Sequence, residues 1–486
     1  MWLTPVDPAT TVVTMTLAEA LARQPAPRSV ANARTSIREQ LANQGLRIVV
    51  LDDDPTGTQT VHDVPVYTRW SADVLADALG GDERVVYLST NSRSLEPAAA
   101  VRLGREIGAG LAEAARSASI RPEAVVPASR SDSTLRGHYP GEVDALLSGM
   151  KRDVDGVILA PAFFEGGRYT IDDVHWVEQE GRLVAAHETE FARDPVFGYS
   201  ESNLRRWVEE KTGGAVRAAD VLSVDLRTIR VGGPDAVTHL LNGARDGIPI
   251  VLNATCYDDL DTAVTGLIAS EADGKRFAYR CAASFVKVRA GIEDRPLLAR
   301  EQMVTSEAPG LIVMGSYVEK STRQLEALLA GSRVRGIEVP VDRLVAGEPD
   351  SAIIRAAAEI DAALAAGRTA VCYTTRRRLE TGAAGFLEAG RLIMDGMCRI
   401  IGSLEHDPAW LIAKGGITSI EMARTALGVT RATVLGQILP GVPVWKLGPQ
   451  ARWPGIPYVV FPGNVGDERA LLRAVGTLSG SEVSDE

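Results

Sequence analysis

Residues 47–63 read RIVVLDDDPTGTQTVHD, an apolar run that ends in three acids and a turn. The run 48–51 is typical of a strand that is buried on both faces. Ligands of open α/β sheets bind just beyond the carboxyl ends of such strands. Asp52, Asp53 and Asp54 repel one another there unless a cation, an arginine or a substrate offsets their charge. One such acid would indicate only a solvated turn, but three after a buried strand favour a functional site.

Strands and helices alternate along the rest of the chain. This pattern predicts α/β domains, each a mostly parallel sheet flanked by helices, and a length of 486 residues predicts two of them. The predicted divisions are an N-terminal arm or helix (1–44), a first domain (45–295), a second domain (305–477) and a disordered tail (478–486). The predicted strands of the first domain are 47–51, 64–69, 85–90, 124–128, 156–160, 221–226, 248–252 and 278–288.

Composition limits the class of protein. The net charge of −11 disfavours nonspecific nucleic-acid binding. No apolar run approaches the roughly 20 residues that span a bilayer, and the N-terminus lacks a signal-peptide pattern. The four cysteines are far apart, which argues against a disulfide framework or structural zinc. We therefore expect a cytoplasmic protein that binds neither nucleic acid nor membrane.

Polar segments follow several of the predicted strands. The loop 131–138 gathers Asp132, Ser133 and Arg136 with further hydroxyls and a histidine. A surface ion pair would explain the presence of an Asp and an Arg in this loop. The residues of the loop also suit a small polyhydroxylated anion, because Arg holds carboxylates bidentately and Asp accepts from hydroxyls. The segment ending at Arg93 follows another strand. Arg168 follows a Gly-Gly pair in a loop that is either pinned by aromatic rings or hinged, and the local sequence does not decide between the two.

The acidic turn also has the spacing of a calcium loop. Acids, Thr56 and Gly57 occupy several EF-hand positions. However, strand-like sequence flanks the turn on both sides, and an Asp stands where a bidentate Glu is expected. The calcium interpretation is therefore disfavoured.

Glycine turns follow three strands of the second domain. The segment 415–418, Gly-Gly-Ile-Thr, fits a phosphate cradle, because glycine amides can approach an anion and a helix N-terminus favours negative charge. Thr418 and Glu421 have capping-box spacing, so a well-capped helix is the simpler interpretation. Gly315-Ser316 and Gly463-Asn464 repeat the arrangement, and three such turns favour a nucleotide site. Neither a Walker motif nor a G-x-G-x-x-G fingerprint is present, which disfavours P-loop and NAD-linked dehydrogenase readings.

Together these motifs resemble the four-carbon acid sugar kinase family. The resemblance covers roughly 45–477 and is carried by the following motifs: Asp53-Asp54-x-Thr56-Gly57, 132–137, 161–163 with 167–168, Gly315-Ser316, Gly415-Gly416-x-Thr418 and 462–466. It implies an N-terminal domain that binds the acid sugar, a C-terminal domain that binds ATP, and an active site in the interdomain cleft. The chain departs from many relatives at Asp52, Pro55, Ser131 and Ile417.

The resemblance implies an ATP- and Mg²⁺-dependent kinase that phosphorylates a hydroxyl of a short, four-carbon type sugar acid. The expected catalytic residues are Asp53 and Asp54. The expected substrate-binding residues are Asp52, Thr56, Gly57, Arg93, Asp132, Ser133, Arg136 and Arg168. The expected nucleotide-binding residues are Ser316, Gly415, Gly416, Thr418, Gly463 and Asn464. No metal ligands are assigned, and homo-oligomer formation is left open. The alternative is a catalytically diverged binding or effector protein on the same scaffold.

Overall fold

The structure, a computed structural model, describes residues 15–315, 318–345, 349–376, 383–463 and 465–481. Helices alternate with strands along most of the chain, which confirms the α/β class. The strands are β1 (Arg47–Asp52), β2 (Pro65–Tyr67), β3 (Val85–Ser89), β4 (Val125–Arg130), β5 (Gly156–Ala160), β6 (Arg168–Ile171), β7 (Val174–Gln179), β8 (Arg182–Ala185), β9 (Leu222–Val224), β10 (Ile248–Leu252), β11 (Phe277–Cys281), β12 (Leu311–Met314), β13 (Arg335–Val339), β14 (Ala370–Thr374), β15 (Leu411–Lys414), β16 (Arg431–Leu439), β17 (Val442–Leu447) and β18 (Pro457–Phe461).

The helices pack around these strands. They are α1 (Leu17–Leu21), α2 (Ala33–Asn43), α3 (Ala72–Gly80), α4 (Pro97–Ser117), α5 (Gly141–Met150), α6 (Leu204–Lys211), α7 (Gly233–Asn242), α8 (Tyr257–Ala272), α9 (Ala283–Arg289), α10 (Glu319–Gly331), α11 (Val341–Val345), α12 (Pro349–Ala365), α13 (Ala383–Gly402), α14 (Gly416–Glu421) and α15 (Ala470–Ser479). Within the described ranges, none of these helices has the length and apolar composition needed to cross a membrane.

The chain forms two compact units, neither of which is a single stretch of sequence. The first unit consists of Met1–Gln40, Ser131–Val143 and Asp153–Gly291. The second unit consists of Leu41–Arg130, Asp144–Arg152 and Ile292–Glu486. The acidic turn after β1 and the glycine turns of the C-terminal half therefore lie in the same unit. The domain boundaries given above stay a prediction.

The second unit contains strands in the order β13-β14-β12-β15-β18-β17-β16-β2-β3-β1-β4. Its pairs are parallel except at β17–β18, β16–β17 and β2–β16. β12, β15 and β18 are adjacent and parallel, so the turns that follow them leave from one edge of the sheet. β1 lies between β3 and β4, parallel to both. Val49 and Val50 are fully buried there, as the apolar run predicts.

The first unit contains four parallel strands in the order β11-β5-β10-β9 and a separate antiparallel sheet, β6-β7-β8. The sequence analysis did not predict the small sheet. Its two hairpins turn on pairs of residues with positive φ, at 172–173 and at 180–181. This is the backbone that tight two-residue hairpins require. Burial alternates along the first part of β7, but its sequence, VHWVEQ, does not alternate strictly between apolar and polar residues and therefore gave no clear strand signal.

The predicted strand 278–288 is wrong in its second half. β11 ends at Cys281, and α9 begins at Ala283. Every residue of α9 is buried, Lys287 and Arg289 included, so the helix has no exposed polar face. A short apolar run that is buried all round gives the same pattern as a buried strand, and periodicity cannot separate the two.

Candidate active site

Backbone hydrogen bonds fix the acidic corner, residues 52–58. The carbonyl of Asp52 accepts from the N–H and from Oγ1 of Thr90, both at 2.9 Å. The N–H of Asp53 donates to the carbonyl of Arg130 at 3.1 Å. A 3₁₀ turn, Pro55–Thr58, follows, and the Asp54 side chain caps it by accepting from the N–H and hydroxyl of Thr56 at 2.9 and 2.6 Å. Hydrogen bonds among the ends of β1, β3 and β4 thus hold the acids in place.

Asp52 is fully buried beneath the corner. Its Oδ1 lies 3.4 Å from NH1 of Arg130, and its Oδ2 has no hydrogen-bond partner among the described residues. Burial raises the pKa of Asp52 well above its ordinary value, although the Arg130 charge opposes the shift. A Cβ added to Gly57 would lie 1.9 Å from Asp52 Oδ1, so only glycine fits this position. The contact of Asp52 with a substrate stays a prediction.

Asp53 and Asp54 share two arginines. NH1 of Arg93 and NH1 of Arg130 each lie 3.9 Å from Asp53 Oδ1. Arg93 also forms an ion pair with Asp54. Burial by itself would raise the pKa of Asp54, but the Arg93 charge and the Thr56 hydrogen bonds outweigh it and lower that pKa. The Asp54 side chain is 20% exposed, against 3% for Asp53. Asp54 is therefore the ionised, accessible acid of this corner.

The structure brings the three glycine turns together. A Cβ added to Gly315 would lie 2.6 Å from Oγ1 of Thr418. Gly415 has a φ of 114°, a backbone conformation that favours glycine. Nζ of Lys414 donates to the carbonyl of Gly463 at 3.2 Å, which ties the turn after β15 to the turn after β18. Two of the predicted nucleotide-binding residues, Ser316 and Asn464, lie outside the described residues.

The acidic corner lies directly against one of these turns. A Cβ added to Gly416 would lie 3.2 Å from Oδ2 of Asp54. A predicted catalytic acid and a predicted nucleotide turn are therefore neighbours, although they are far apart in the sequence. The amides of the first helical turn of α14 have no acceptor within the helix. A negatively charged group placed there would meet amide donors and a carboxylate together.

Three further residues stabilise this arrangement, and the sequence analysis missed them. Gln59 donates to the carbonyl of Gly441 at 3.2 Å and accepts from Arg130 at 3.4 Å. Trp445 Nε1 donates to Thr58 Oγ1 at 2.9 Å. Lys414 is fully buried at the end of β15. For Lys414, the sequence did give a signal, because this lysine ends an apolar strand. The contacts of Gln59 and Trp445 join segments that are far apart in the sequence, so no local pattern indicates them.

The predicted anion-binding arginines lie together in the first unit. Arg136 Nε donates to Asp132 Oδ2 at 2.7 Å, and its NH1 lies 3.8 Å from Asp194. The guanidinium carbons of Arg136 and Arg168 lie 5.1 and 5.9 Å from the ring centre of Phe191. Nε of Arg168 has no hydrogen-bond partner among the described residues, and burial lowers the pKa of this guanidinium. Two guanidinium groups beside one ring have the charge and the donors that a carboxylate requires.

Buried groups make the loop of this arginine pair rigid. Arg280 is 1% exposed and donates to the carbonyls of Asp132 and Arg136 at 3.3 and 3.1 Å. His175 lies 2.7 Å, at Nε2, from the carbonyl oxygen of Ser133, and burial lowers the pKa of His175 to about 4. The imidazole is therefore neutral at physiological pH and supports the loop through Ser133. The contacts predicted between Asp132 or Ser133 and a substrate stay predictions.

Two family models match the chain. The sugar-binding N-terminal domain matches residues 48–289, and the nucleotide-binding C-terminal domain matches residues 311–471. The pair covers most of the chain, and the chain belongs to the four-carbon acid sugar kinase family. This confirms the resemblance found in the sequence.

Individual relatives agree with this class. The chain is 26% identical over 248 residues to a D-threonate kinase of Salmonella typhimurium, a match that covers 51% of this chain and 53% of the relative. It is also 26% identical over 294 residues to a D-erythronate kinase of Heliobacterium modesticaldum, covering 58% and 60%. The chain thus spans little more than half the length of each. A solved structure from Salmonella typhimurium LT2, provisionally named a tRNA synthase, has a TM-score of 0.62 at 16% identity, covering 88% of this chain and 98% of that one, and shows the fold alone.

Proposed function

We propose that this protein is an ATP-dependent kinase that phosphorylates a hydroxyl of a short sugar acid of the four-carbon type. One observation carries the proposal: the ionised carboxylate of Asp54 lies against Gly416, at the edge where three glycine turns meet. Membership of a family with sugar-binding and nucleotide-binding domains supports it. So do the names of the two kinase relatives.

Phosphoryl transfer requires little covalent chemistry from the protein. It requires alignment of the two oxygens, neutralisation of phosphate charge and a base near the attacking hydroxyl. Asp54 would accept the proton of that hydroxyl, because it is the most exposed acid of the corner and is ionised. Arg93 would keep Asp54 oriented through their ion pair. Asp52 would support the corner from below, with Thr56 and Gly57 setting the turn.

Asp53 and Asp54 also fit the requirements of Mg²⁺. This ion is commonly held by one or two carboxylates together with the substrate phosphates. Within the described ranges, no group of three or more His, Cys, Asp or Glu side chains could hold a metal by itself. When bound, Mg²⁺ would neutralise phosphate charge, and Asp53 would hold it while Asp54 acts as the base.

Substrate and nucleotide would be bound by different residue types. Arg136 and Arg168 would bind the carboxylate of the sugar acid, and Asp132 and Ser133 would accept from or donate to its hydroxyls. Backbone amides of the glycine turns would bind the phosphates of ATP. The proposed nucleotide residues are Ser316, Gly415, Gly416, Thr418, Gly463 and Asn464.

Replacing Asp54 tests the proposal. The wild-type protein should consume ATP with at least one member of a panel of four-carbon sugar acids. Asp54→Asn should lower kcat by about 10²- to 10⁴-fold, the usual contribution of a positioned base, and should still bind ADP. Asp53→Asn should show a related loss, whereas the control Asp82→Asn, at an exposed position, should behave as wild type.

Two results would contradict the proposal. Wild-type protein that binds ADP but turns over no sugar acid would favour a diverged binding protein. An Asp54→Asn variant with wild-type kcat would remove this residue from the chemistry.

A further inference from the structure

A buried lysine lies beneath the turns that are proposed to bind ATP. Lys414 ends β15 and is fully buried. Its Nζ donates to the carbonyls of Pro462 and Gly463 at 2.5 and 3.2 Å. The same ammonium lies 4.4 Å from the ring centre of Phe461. All three partners belong to the end of β18 or to the turn that follows it.

These hydrogen bonds set the orientation of the turn. In a trans peptide, the C=O group and the following N–H group point in opposite directions. Because the carbonyl of Pro462 points toward Lys414, the N–H of Gly463 points away from it. The carbonyl of Gly463, which belongs to the next peptide, accepts from Ser321 as well, at 3.2 Å, so α10 holds the turn from another side. The turn therefore directs its two carbonyls at the lysine and the N–H of Gly463 away from it.

Among the residues that the structure describes, no carboxylate forms an ion pair with Lys414. Burial, together with a smaller effect of the nearby charge of Lys320 on α10, lowers the pKa of Lys414 to about 7. The groups that face the ammonium from β18 are an aromatic ring and two carbonyls, which are neutral. A buried ammonium without a paired anion is unfavourable. A polyphosphate on the outer side of the turn would supply the missing negative charge.

We propose that Lys414 is a positioning residue for the nucleotide: it orients the Pro462–Gly463 turn so that its amide faces the phosphates, and the bound polyphosphate in turn stabilises the lysine in its charged form. This inference rests on the proposed function and adds a residue and a proton linkage to it. Nucleotide binding should raise the pKa of Lys414. The protein should therefore take up a proton on binding at any pH at which free Lys414 is deprotonated. A lysine with only a structural role would show no such linkage.

The direction of the pH effect follows from the pKa. Above pH 7 the free protein holds Lys414 mostly neutral, and the complex holds it charged. The Kd for ADP should therefore rise with pH between 7 and 9, toward about tenfold per pH unit. Most of this window lies above the second phosphate pKa of about 6, so the ligand itself contributes little.

Calorimetric titration with ADP tests the inference. At pH 8, in buffers of different ionisation enthalpy, the wild-type protein should take up most of one proton per ADP bound. Lys414→Met should take up none and should bind ADP at least about tenfold more weakly. Lys414→Arg, which cannot deprotonate, should retain more affinity than Lys414→Met and lose the pH dependence. Lys446→Met, which removes an exposed lysine from β17, should match wild type.

The outcomes separate this inference from the proposed function. If Lys414→Met is folded and binds ADP as tightly as wild type, or if wild-type binding takes up no proton, Lys414 is only a structural residue. If Lys414→Met does not fold, Lys414→Arg decides the question, and a pH dependence unchanged from wild type overturns the inference. If the wild-type protein binds no ADP at all, the proposed function fails and the inference fails with it.

Discussion

At the residue scale, the acidic corner depends on the contact between Gly57 and Asp52. The sequence indicates a turn at Gly57 but gives no reason why this residue has to be glycine. The structure supplies it, because the space that a side chain would occupy is filled by the Asp52 carboxylate. The corner carries Asp54 two residues after Asp52, so a displacement of one acid moves the other.

Substitution of this glycine should damage both stability and activity. Gly57→Ala should lower the free energy of unfolding by about 1–3 kcal/mol, the usual cost of overpacking a filled site, and should lower kcat by moving Asp54. Urea denaturation and an ATP-consumption assay measure the two effects. Gly80→Ala is the matched control, because a Cβ there meets nothing within 4 Å at the end of α3. Equal stability of the two variants would show that the corner can relax around a methyl group.

At the scale of elements, the hairpin of β16 and β17 holds the acidic corner in place. β16 pairs antiparallel with β2, which follows the corner in the chain. Gly441, in the turn of the hairpin, accepts from Gln59. Trp445 on β17 donates to Thr58 at the end of the 3₁₀ turn. The corner therefore depends on an element that lies near the other end of the sequence.

Two buried tryptophans allow this link to be measured. Trp445→Phe removes the hydrogen bond to Thr58 and should cost about 1–1.5 kcal/mol more stability than Trp453→Phe. Trp453 is the control, because it is 2% exposed and its Nε1 has no hydrogen-bond partner among the described residues. Trp445→Phe should also lower kcat, while Trp453→Phe leaves it near wild type. Thermal unfolding and initial rates give both comparisons, and equal losses in the two variants would contradict an anchoring role for the hairpin.

At the scale of the whole molecule, the two compact units hold chemically different sets of side chains and turns. The first unit holds the arginine pair around Phe191. The second unit holds the acids and the glycine turns together. Guanidinium groups suit a carboxylate, whereas backbone amides suit phosphates. Variants in the two units should therefore affect different ligands.

A variant of the first unit should affect the sugar acid alone. Arg168→Met should raise KM for the sugar acid by about 10- to 100-fold, through loss of charge-assisted hydrogen bonds, and should leave the Kd for ADP unchanged. The control Arg217→Met removes an exposed arginine that pairs with Asp220 on the surface and should change neither constant. A weaker Kd for ADP with an unchanged KM would instead assign Arg168 to the nucleotide.

The sequence by itself determined the fold class and most strand positions, and it predicted most residues of the candidate site. These are encoded locally: apolar runs form buried strands, glycines form turns, and polar residues cluster where strands end. It misread 282–288 as strand and missed the small sheet β6-β7-β8. It also missed Lys414, Gln59 and Trp445 as parts of the site.

Only the tertiary structure decided which of these segments meet. Strand order is set by packing between distant parts of the chain, as in the pairing of β2 with β16, and no local pattern records it. That order places Asp54 against Gly416 and Lys414 beneath the turn after β18. The reason is physical: a hydrogen bond or a close contact depends on distance in space, whereas the sequence specifies only what each strand can bury and where each chain can turn.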